Sequence, residues 1–209
     1  MLSNYQKDRV TKKQRTRVFE EFFADAAVRV DWTSAAQRID EAGRVVLGPW
    51  AGPEATISNL VHEMSHFVEI DEPRMTEFGW GLHVPKIHIA GRSCLEPQTM
   101  QATERELRVI AYQANVLEYI GFPRSTRDLV NALDWMPDWV FVPIEDGSSA
   151  FGDDRTHKLS YPDIEKSQKR WCAKEVEALR STFTLDRFIA EWKRRNELLK
   201  RNLLSPGLG

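Results

Sequence analysis

The stretch of sequence that decides the fold covers residues 55–70 and reads Ala55-Thr56-Ile57-Ser58-Asn59-Leu60-Val61-His62-Glu63-Met64-Ser65-His66-Phe67-Val68-Glu69-Ile70. Its apolar residues recur at the spacing of an α-helix, which predicts one amphipathic helix here. At about 100° per residue, His62 and His66 lie roughly 40° apart on the helix surface. The apolar arc is centred nearly opposite them, so the two imidazoles are not part of the predicted core face.

Two histidines four positions apart on a helix are suited to hold one metal ion. Their Cβ atoms lie roughly 5–6 Å apart, and both imidazoles can then reach a zinc ion at about 2.0–2.1 Å. Glu63 directly follows the first histidine and points to the side, where it can take a proton from metal-bound water. The pattern therefore predicts a Zn²⁺ site with His62 and His66 as ligands and Glu63 as general base. The alternative interpretation is two exposed histidines on a surface helix.

Zinc in a catalytic site needs a third protein ligand and an open fourth position. The metzincin pattern would place a histidine at position 72 and a glycine at position 69, but the sequence has Glu72 and Glu69. The remaining source is a carboxylate on the helix that periodicity predicts for residues 99–120. We expect Glu104 to point inward as the third ligand, with Glu106 as the alternative. The face of Glu104 also carries Leu107, Ala111, Ala114 and Glu118. For either residue, the structural alternative is an acid favoured by the helix dipole in the first turn.

These patterns resemble the gluzincin group of zinc metallopeptidases. The likeness rests on HExxH at 62–66 and on a helical ExxLRxxA at 104–111, in which Glu104 follows His66 by 38 positions. It is greatest for the minigluzincins, small intracellular members that act beside phage and stress-response repressors, and it covers about residues 44–118. In that group the second helix commonly reads Glu-x-x-Ala-(Asp/Asn)-x-x-Ala. The pair Leu107-Arg108 departs from this and removes the polar residue expected to support a zinc-ligating histidine.

The resemblance implies an α+β fold, a helix-dominated zincin-like domain with a small β-sheet beside the HExxH helix. It also implies a strand near 44–47 beside the cleft, where a substrate peptide could add as an edge strand. We expect residues 1–160 to form this domain. Residues 161–209 are then a C-terminal helical pair packed on it, and the two parts make one structural unit.

The rest of the chain predicts further helices and one hairpin. Residues 33–47 favour a hairpin with its turn at Asp40-Glu41-Ala42-Gly43, although Ser34 with Gln37 could instead open a short helix. The other predicted helices cover residues 7–28, residues 125–134, a segment that starts at Pro162, and a segment that follows Thr184.

The predicted reaction is hydrolysis of a peptide bond in a protein or peptide substrate. Water on zinc has its pKa lowered toward about 7, gives a proton to Glu63 and attacks the carbonyl that zinc polarises. Glu63 then passes the proton to the leaving amine. His83, His88 or Tyr112 could donate a hydrogen bond to the oxyanion of the tetrahedral intermediate. Ordinary packing is the alternative role for each of these three.

Two other classes of function stay open. The departure at Leu107-Arg108 is compatible with a zinc-site protein that has lost peptidase activity and works as a binding module. Residues 7–17 and residues 187–201 each hold six Lys or Arg, which could serve a nucleic-acid-associated regulatory factor. The solvated faces of amphipathic helices explain the same charges, so nucleic acid is not the favoured partner.

The composition of the chain indicates the cellular compartment in which the protein resides. No run of about 18 apolar residues exists, so we expect no membrane contact, and the N-terminus lacks the apolar stretch of a secretory signal. Cys94 and Cys172 lie in unrelated surroundings, which favours a reducing environment over a disulfide framework. We therefore predict a cytoplasmic protein whose oligomeric state the sequence leaves open.

Overall fold

The computed structural model describes residues 18–31, 38–41, 44–48, 57–72, 75, 97–131 and 161–204. Within these ranges the chain is rich in helix, with one small sheet. The elements are a π-helical segment Phe19–Phe23, strands β1 (Arg29–Val30), β2 (Arg38–Ile39) and β3 (Val45–Leu47), and helices α1 (Ile57–Glu69), α2 (Pro97–Tyr119), α3 (Thr126–Asn131), α4 (Tyr161–Leu179) and α5 (Leu185–Leu204).

The predicted hairpin is confirmed. Strands β2 and β3 are antiparallel, with Ile39 opposite Val45. Asp40 holds the turn: its carboxylate accepts a hydrogen bond from the main-chain N–H of Arg44 at 2.9 Å and pairs with the Arg44 guanidinium at 2.8 Å. An Asp side chain that bonds the backbone a few residues on favours a turn over a helix. The alternative, a short helix opened by Ser34, lies outside the described residues.

The position of β3 in the sheet corrects one expectation. The strand order is β1-β3-β2, and β1 runs parallel to β3. Strand β3 is therefore central and cannot be the edge that a substrate peptide would join. All three β3 residues are buried, and the strand contacts α1, so an α+β fold with a small sheet beside the HExxH helix is confirmed.

The first predicted helix is shorter than expected. Of the predicted range 7–28, residues 7–17 lie outside the described residues, and the helical segment ends at Phe23. Ala24 and Asp25 form a turn, and the chain enters β1 at Arg29. The expectation of helix through residue 28 is wrong.

Side chains of α5 explain why the helix stops there. The Asn196 Oδ1 accepts hydrogen bonds from the main-chain N–H groups of Ala27 at 2.8 Å and Val28 at 3.1 Å. Trp192 donates from Nε1 to the carbonyl oxygen of Phe22 at 2.9 Å. Backbone groups that a helix would pair internally are thus paired with a distant helix, which outweighs local propensity.

The other helix boundaries follow local capping signals. Gly121 has φ 77°, and the N–H of Phe122 donates to the carbonyl of Leu117 at 2.8 Å, which is a Schellman end for α2. Ser125 caps α3 by accepting from the N–H of Asp128 at 3.1 Å. Thr184 caps α5 in the same way through the N–H of Arg187. These ends agree with the helices predicted from the sequence.

The C-terminal helices share one core with the rest of the described chain. Helix α4 contacts α2 and α3, and α5 contacts α1 and α2. The expected boundary at residue 160 lies outside the described residues. None of the helices in the described ranges combines the length and apolarity needed to cross a membrane. The shared core includes Leu60, Phe67, Leu117, Val176 and Phe188.

Candidate metal centre

Helix α1 directs its two histidines toward α2. The apolar face of α1 is fully buried, and Leu60, Met64 and Phe67 have no exposed surface. On the other face, the rings of His62 and His66 meet edge to face, with centroids 4.7 Å apart. Their Nε2 atoms are only 3.1 Å apart. The two nitrogens therefore point at one common position.

Glu106 of α2 faces that position. Its Oε1 lies 3.1 Å from the Nε2 of His62, and its Oε2 lies 3.4 Å from the Nε2 of His66. The Glu106 side chain is 1% exposed. One potential ligand atom from each of the three residues lies within 4.8 Å of the other two. This group could hold a metal ion.

The hydrogen bonding of Glu106 fits a bound cation. Neither carboxylate oxygen accepts a well-formed hydrogen bond from any described residue, although both are buried. The imidazole nitrogens of His62 and His66 lie 3.1 and 3.4 Å from these oxygens, so the carboxylate is balanced either by a proton on His62 or by a metal ion in its place. A buried carboxylate left in this way is strongly disfavoured unless a cation satisfies it. Two imidazoles and one carboxylate are a ligand set that zinc accepts.

The expectation that Glu104 points inward is wrong. Glu104 is exposed, and Glu106 occupies the position beside the histidines. The two residues are separated by about 160° around the helix. The middle of α2 is buried on several sides, so an apolar stripe that contains Leu107 and Ala111 does not identify the side that faces α1. The side that faces α1 is the one that carries Glu106, Ile110 and Gln113.

The two histidines share one positive charge. Burial favours the neutral form of each ring, but at His62 the negative charge of Glu106 outweighs it and raises the pKa to about 9. At His66 burial prevails over Glu106, the nearby His62 charge acts in the same direction as burial, and the pKa falls to about 4. The two rings in turn lower the pKa of Glu106 against the effect of its burial. At neutral pH this group therefore carries one cation beside one anion, and a metal ion would compete with that proton.

The charge of Glu63 interacts with those of His62 and Glu106. Glu63 is half-buried, and no described residue forms a hydrogen bond with its carboxylate. Burial raises its pKa to about 7; the His62 charge opposes this and the Glu106 charge reinforces it. A carboxyl group with a pKa near neutrality can both accept and release a proton.

Gln113, two turns beyond Glu106 on α2, was not among the residues predicted for the site. Its Oε1 lies 3.2 Å from the Nδ1 of His62. Its Nε2 donates to the carbonyl oxygen of Ser58 at 2.9 Å and to the Ser58 hydroxyl at 3.1 Å. The signal that could have found it is its spacing of seven from Glu106, which places both on one helix face.

The pair Leu107-Arg108 lies away from the three potential ligands. Leu107 is part of the hydrophobic core. Arg108 forms an ion pair with Glu69, which ends α1. Neither residue supports a histidine, and the polar contact to His62 comes from Gln113 instead.

The other residues predicted near the reaction are not brought to this group. The ring of Tyr112 packs edge-on against Phe183 and Phe188. Burial raises the pKa of Tyr112 to about 12, and the charges that modify it are those of Arg187, Glu69, Glu191 and Arg195. Tyr112 is therefore not positioned to act as an oxyanion donor. His83 and His88 lie outside the described residues.

The C-terminal end of α1 is held by a charged side chain of α5. Arg195 donates from Nη1 to the carbonyl oxygen of Phe67 at 2.9 Å and also to that of Ile70. A cation at this end of a helix satisfies unpaired carbonyls and complements the helix dipole. Arg195 is 8% exposed, so the expectation that the basic residues of 187–201 lie on a solvated face is wrong for this one.

Comparison with known proteins gives no match for this chain among family models, curated proteins or solved structures. The residues of the site themselves are therefore the basis for proposing a function.

Proposed function

We propose that this chain is a zinc-dependent peptidase of the gluzincin type. The observation that carries the proposal is the buried Glu106 carboxylate, whose oxygens lie 3.1 and 3.4 Å from the Nε2 atoms of His62 and His66. A helical HExxH pattern alone is compatible with two surface histidines. A third ligand from a second helix, desolvated and aimed at the same point, is what a metal site requires.

In this proposal His62, His66 and Glu106 hold the zinc ion, and the substrate is a protein or peptide. Zinc, when bound, polarises a carbonyl group and lowers the pKa of a coordinated water molecule. Glu63 accepts a proton from the attacking water and delivers it to the amine nitrogen as the carbon–nitrogen bond breaks.

The rival classes differ in what they need from these residues. A binding module that has lost activity would keep the metal ligands without needing Glu63. A nucleic-acid-associated factor would need free cations, but three basic residues of α5 are occupied within the chain. Arg194 pairs with Glu72 and Glu191, Arg195 is buried, and Lys200 pairs with Asp25 and Glu197. These internal contacts favour the peptidase over the nucleic-acid factor.

Metal content and turnover, measured together, test the proposal. Elemental analysis of the purified protein should give one zinc per chain, and His62→Ala with His66→Ala should remove it. Glu63→Gln should retain the zinc and lose about 10²–10⁴-fold in cleavage of a fluorogenic peptide library, the usual effect of removing a general base. Glu104→Gln, which alters an exposed acid, is the matched control and should change neither.

The outcomes separate the classes. Zinc retained with no cleavage in the wild-type protein would favour the binding module. No zinc, or zinc that survives loss of both histidines, would contradict the metal site itself. Metal loss in Glu63→Gln would show that this glutamate is a ligand and not the base.

A further inference from the structure

We infer that Gln113 is a positioning residue that keeps the Nε2 of His62 free to bind the metal. The inference rests on the proposed metal site and adds a residue that acts through His62 without touching the metal. Three contacts support it. The Nε2 of Gln113 contacts the carbonyl and the hydroxyl of Ser58, and the Oε1 of Gln113 contacts the Nδ1 of His62.

The Ser58 carbonyl fixes the orientation of the Gln113 amide. A carbonyl oxygen can only accept a hydrogen bond, so the amide atom 2.9 Å from it must be the NH₂ group. The opposite orientation would set two acceptors against each other inside the protein, where Gln113 is 5% exposed. The amide oxygen of Gln113 therefore faces His62.

The oriented amide then fixes where His62 carries its proton. The Gln113 oxygen, 3.2 Å from Nδ1, can only accept, so the Nδ1 of His62 must carry a hydrogen. In a neutral imidazole only one nitrogen is protonated, which leaves the lone pair on Nε2. Nε2 is the atom that faces Glu106 and His66. The chain of contacts thus aims the ligating lone pair at the metal position.

Gln113 also joins the two helices that supply the ligands. Ser58 lies one turn before His62 on α1, while Gln113 follows Glu106 by two turns on α2. One side chain therefore ties the backbone of α1 to the helix that carries the third ligand. Partners of this kind, which orient a metal-bound histidine, typically change metal affinity by about 10–100-fold when they are removed.

Two substitutions separate positioning from simple packing. Gln113→Glu keeps an oxygen that accepts from the Nδ1 of His62, whereas Gln113→Met keeps the length of the side chain but removes both contacts. Zinc affinity is measured by competition with a chelator. We expect Gln113→Met to bind zinc about 10–100-fold more weakly and Gln113→Glu to stay within about tenfold of wild type. Glu104→Gln, which alters an exposed residue of α2, is the control and should bind zinc like wild type.

A measurement on the metal-free wild-type protein tests the same inference without zinc or a variant. Long-range nitrogen–proton spectra of protein labelled with ¹⁵N-histidine report which nitrogen of His62 carries hydrogen. In spectra taken at alkaline pH, where the ring is neutral, we expect the hydrogen to lie on Nδ1 and the lone pair on Nε2. An unprotonated Nδ1 in wild type, or equal zinc affinity in wild type and Gln113→Met, would overturn the inference. A wild-type protein that binds no zinc would contradict the proposed metal site, whereas a hydrogen on the Nε2 of the neutral His62 ring would overturn the role of Gln113 whether or not zinc binds.

Discussion

Glu104 and Glu106 are two positions apart on α2, yet their side chains lie on opposite sides of the helix. Glu104 is exposed to solvent, whereas Glu106 is 1% exposed and faces both histidines of α1. The same residue type therefore has two different environments within one turn. A substitution at each position changes the same charge, so the pair provides its own control for the metal site.

Glu106→Gln should weaken zinc binding by more than about 100-fold, because even the loss of a supporting residue costs about 10–100-fold. Glu104→Gln should leave zinc affinity unchanged. Chelator competition measures both, with circular dichroism as a check that each variant is folded. The opposite ranking of the two variants would mean that Glu106 is not a ligand.

Arg195→Met should destabilise the fold by about 2–4 kcal/mol, because it leaves the carbonyl oxygens of Phe67 and Ile70 without a charged donor. Lys193, on the exposed side of the same helix, is the matched control. Lys193→Met should stay within about ±0.5 kcal/mol of wild type. Urea unfolding measures both free energies. Equal midpoints for the two variants would show that Arg195 does not stabilise α1.

Asn196→Ala should lower the free energy of unfolding by about 2–4 kcal/mol, since the N–H groups of Ala27 and Val28 lose their acceptor. Hydrogen exchange at these two amides gives a local measurement, and their protection should fall toward that of exposed amides. Asn131→Ala, at an exposed position in α3, serves as the control. Unchanged protection at residues 27 and 28 would show that Asn196 does not hold these two N–H groups.

Glu191 should make stability depend on acid pH. Hydrogen bonds from Arg194 are the main cause that lowers its pKa from 4.5 to about 2; burial opposes them, and Arg195 adds to the lowering. A group with a lowered folded-state pKa stabilises the fold above its unfolded pKa and loses that contribution as pH falls through the folded value. The loss should therefore occur between about pH 4.5 and 2.

Unfolding of Glu191→Gln between pH 7 and pH 2 checks this. The free-energy difference between wild type and variant should be largest at neutral pH and shrink through the acid range. Asn131→Ala, which alters an exposed residue without an ionisable group, should give a difference that stays constant over this range. A constant difference for Glu191→Gln would contradict the assignment.

Local signals were sufficient for much of the fold. The turn at Asp40, the end of α2 at Gly121 and the cap of α3 at Ser125 depend on residues within a few positions of each other. The histidine pair of α1 depends only on spacing within one helix. Such features can be predicted because the physical cause lies inside a short window of sequence.

The third ligand could not be predicted in this way. Periodicity identifies the buried side of a helix only when one side is exposed, and the middle of α2 is buried nearly all round. The consecutive residues Val109, Ile110, Ala111, Tyr112, Gln113 and Ala114 are all buried. Which of those sides faces α1 is decided by the packing of the two helices. The sequence therefore favours Glu104, which has apolar neighbours on its face, whereas Glu106 lies beside the histidines in the structure.

Contacts between residues far apart in the sequence explain the remaining differences between the predictions and the structure. Arg195 was expected on a solvated face because arginine is charged, but its partners are carbonyl groups more than a hundred positions away. Strand β3 was expected at an edge, but β1 pairs with it from the far side of the hairpin. Neither contact leaves a signal near the residue itself.

The hydrogen bonds from α5 to residues 22–28 can form only after α5 has been synthesised. Trp192 and Phe22 are 170 positions apart. At a translation rate of about 5–20 residues per second, roughly 8–34 s separate the appearance of the two partners. Throughout that interval the HExxH helix also lacks Arg195, so its framework is incomplete while the chain is still attached to the ribosome. Under the proposed function, a nascent copy would therefore be restrained from cutting its neighbours until α5 has been made.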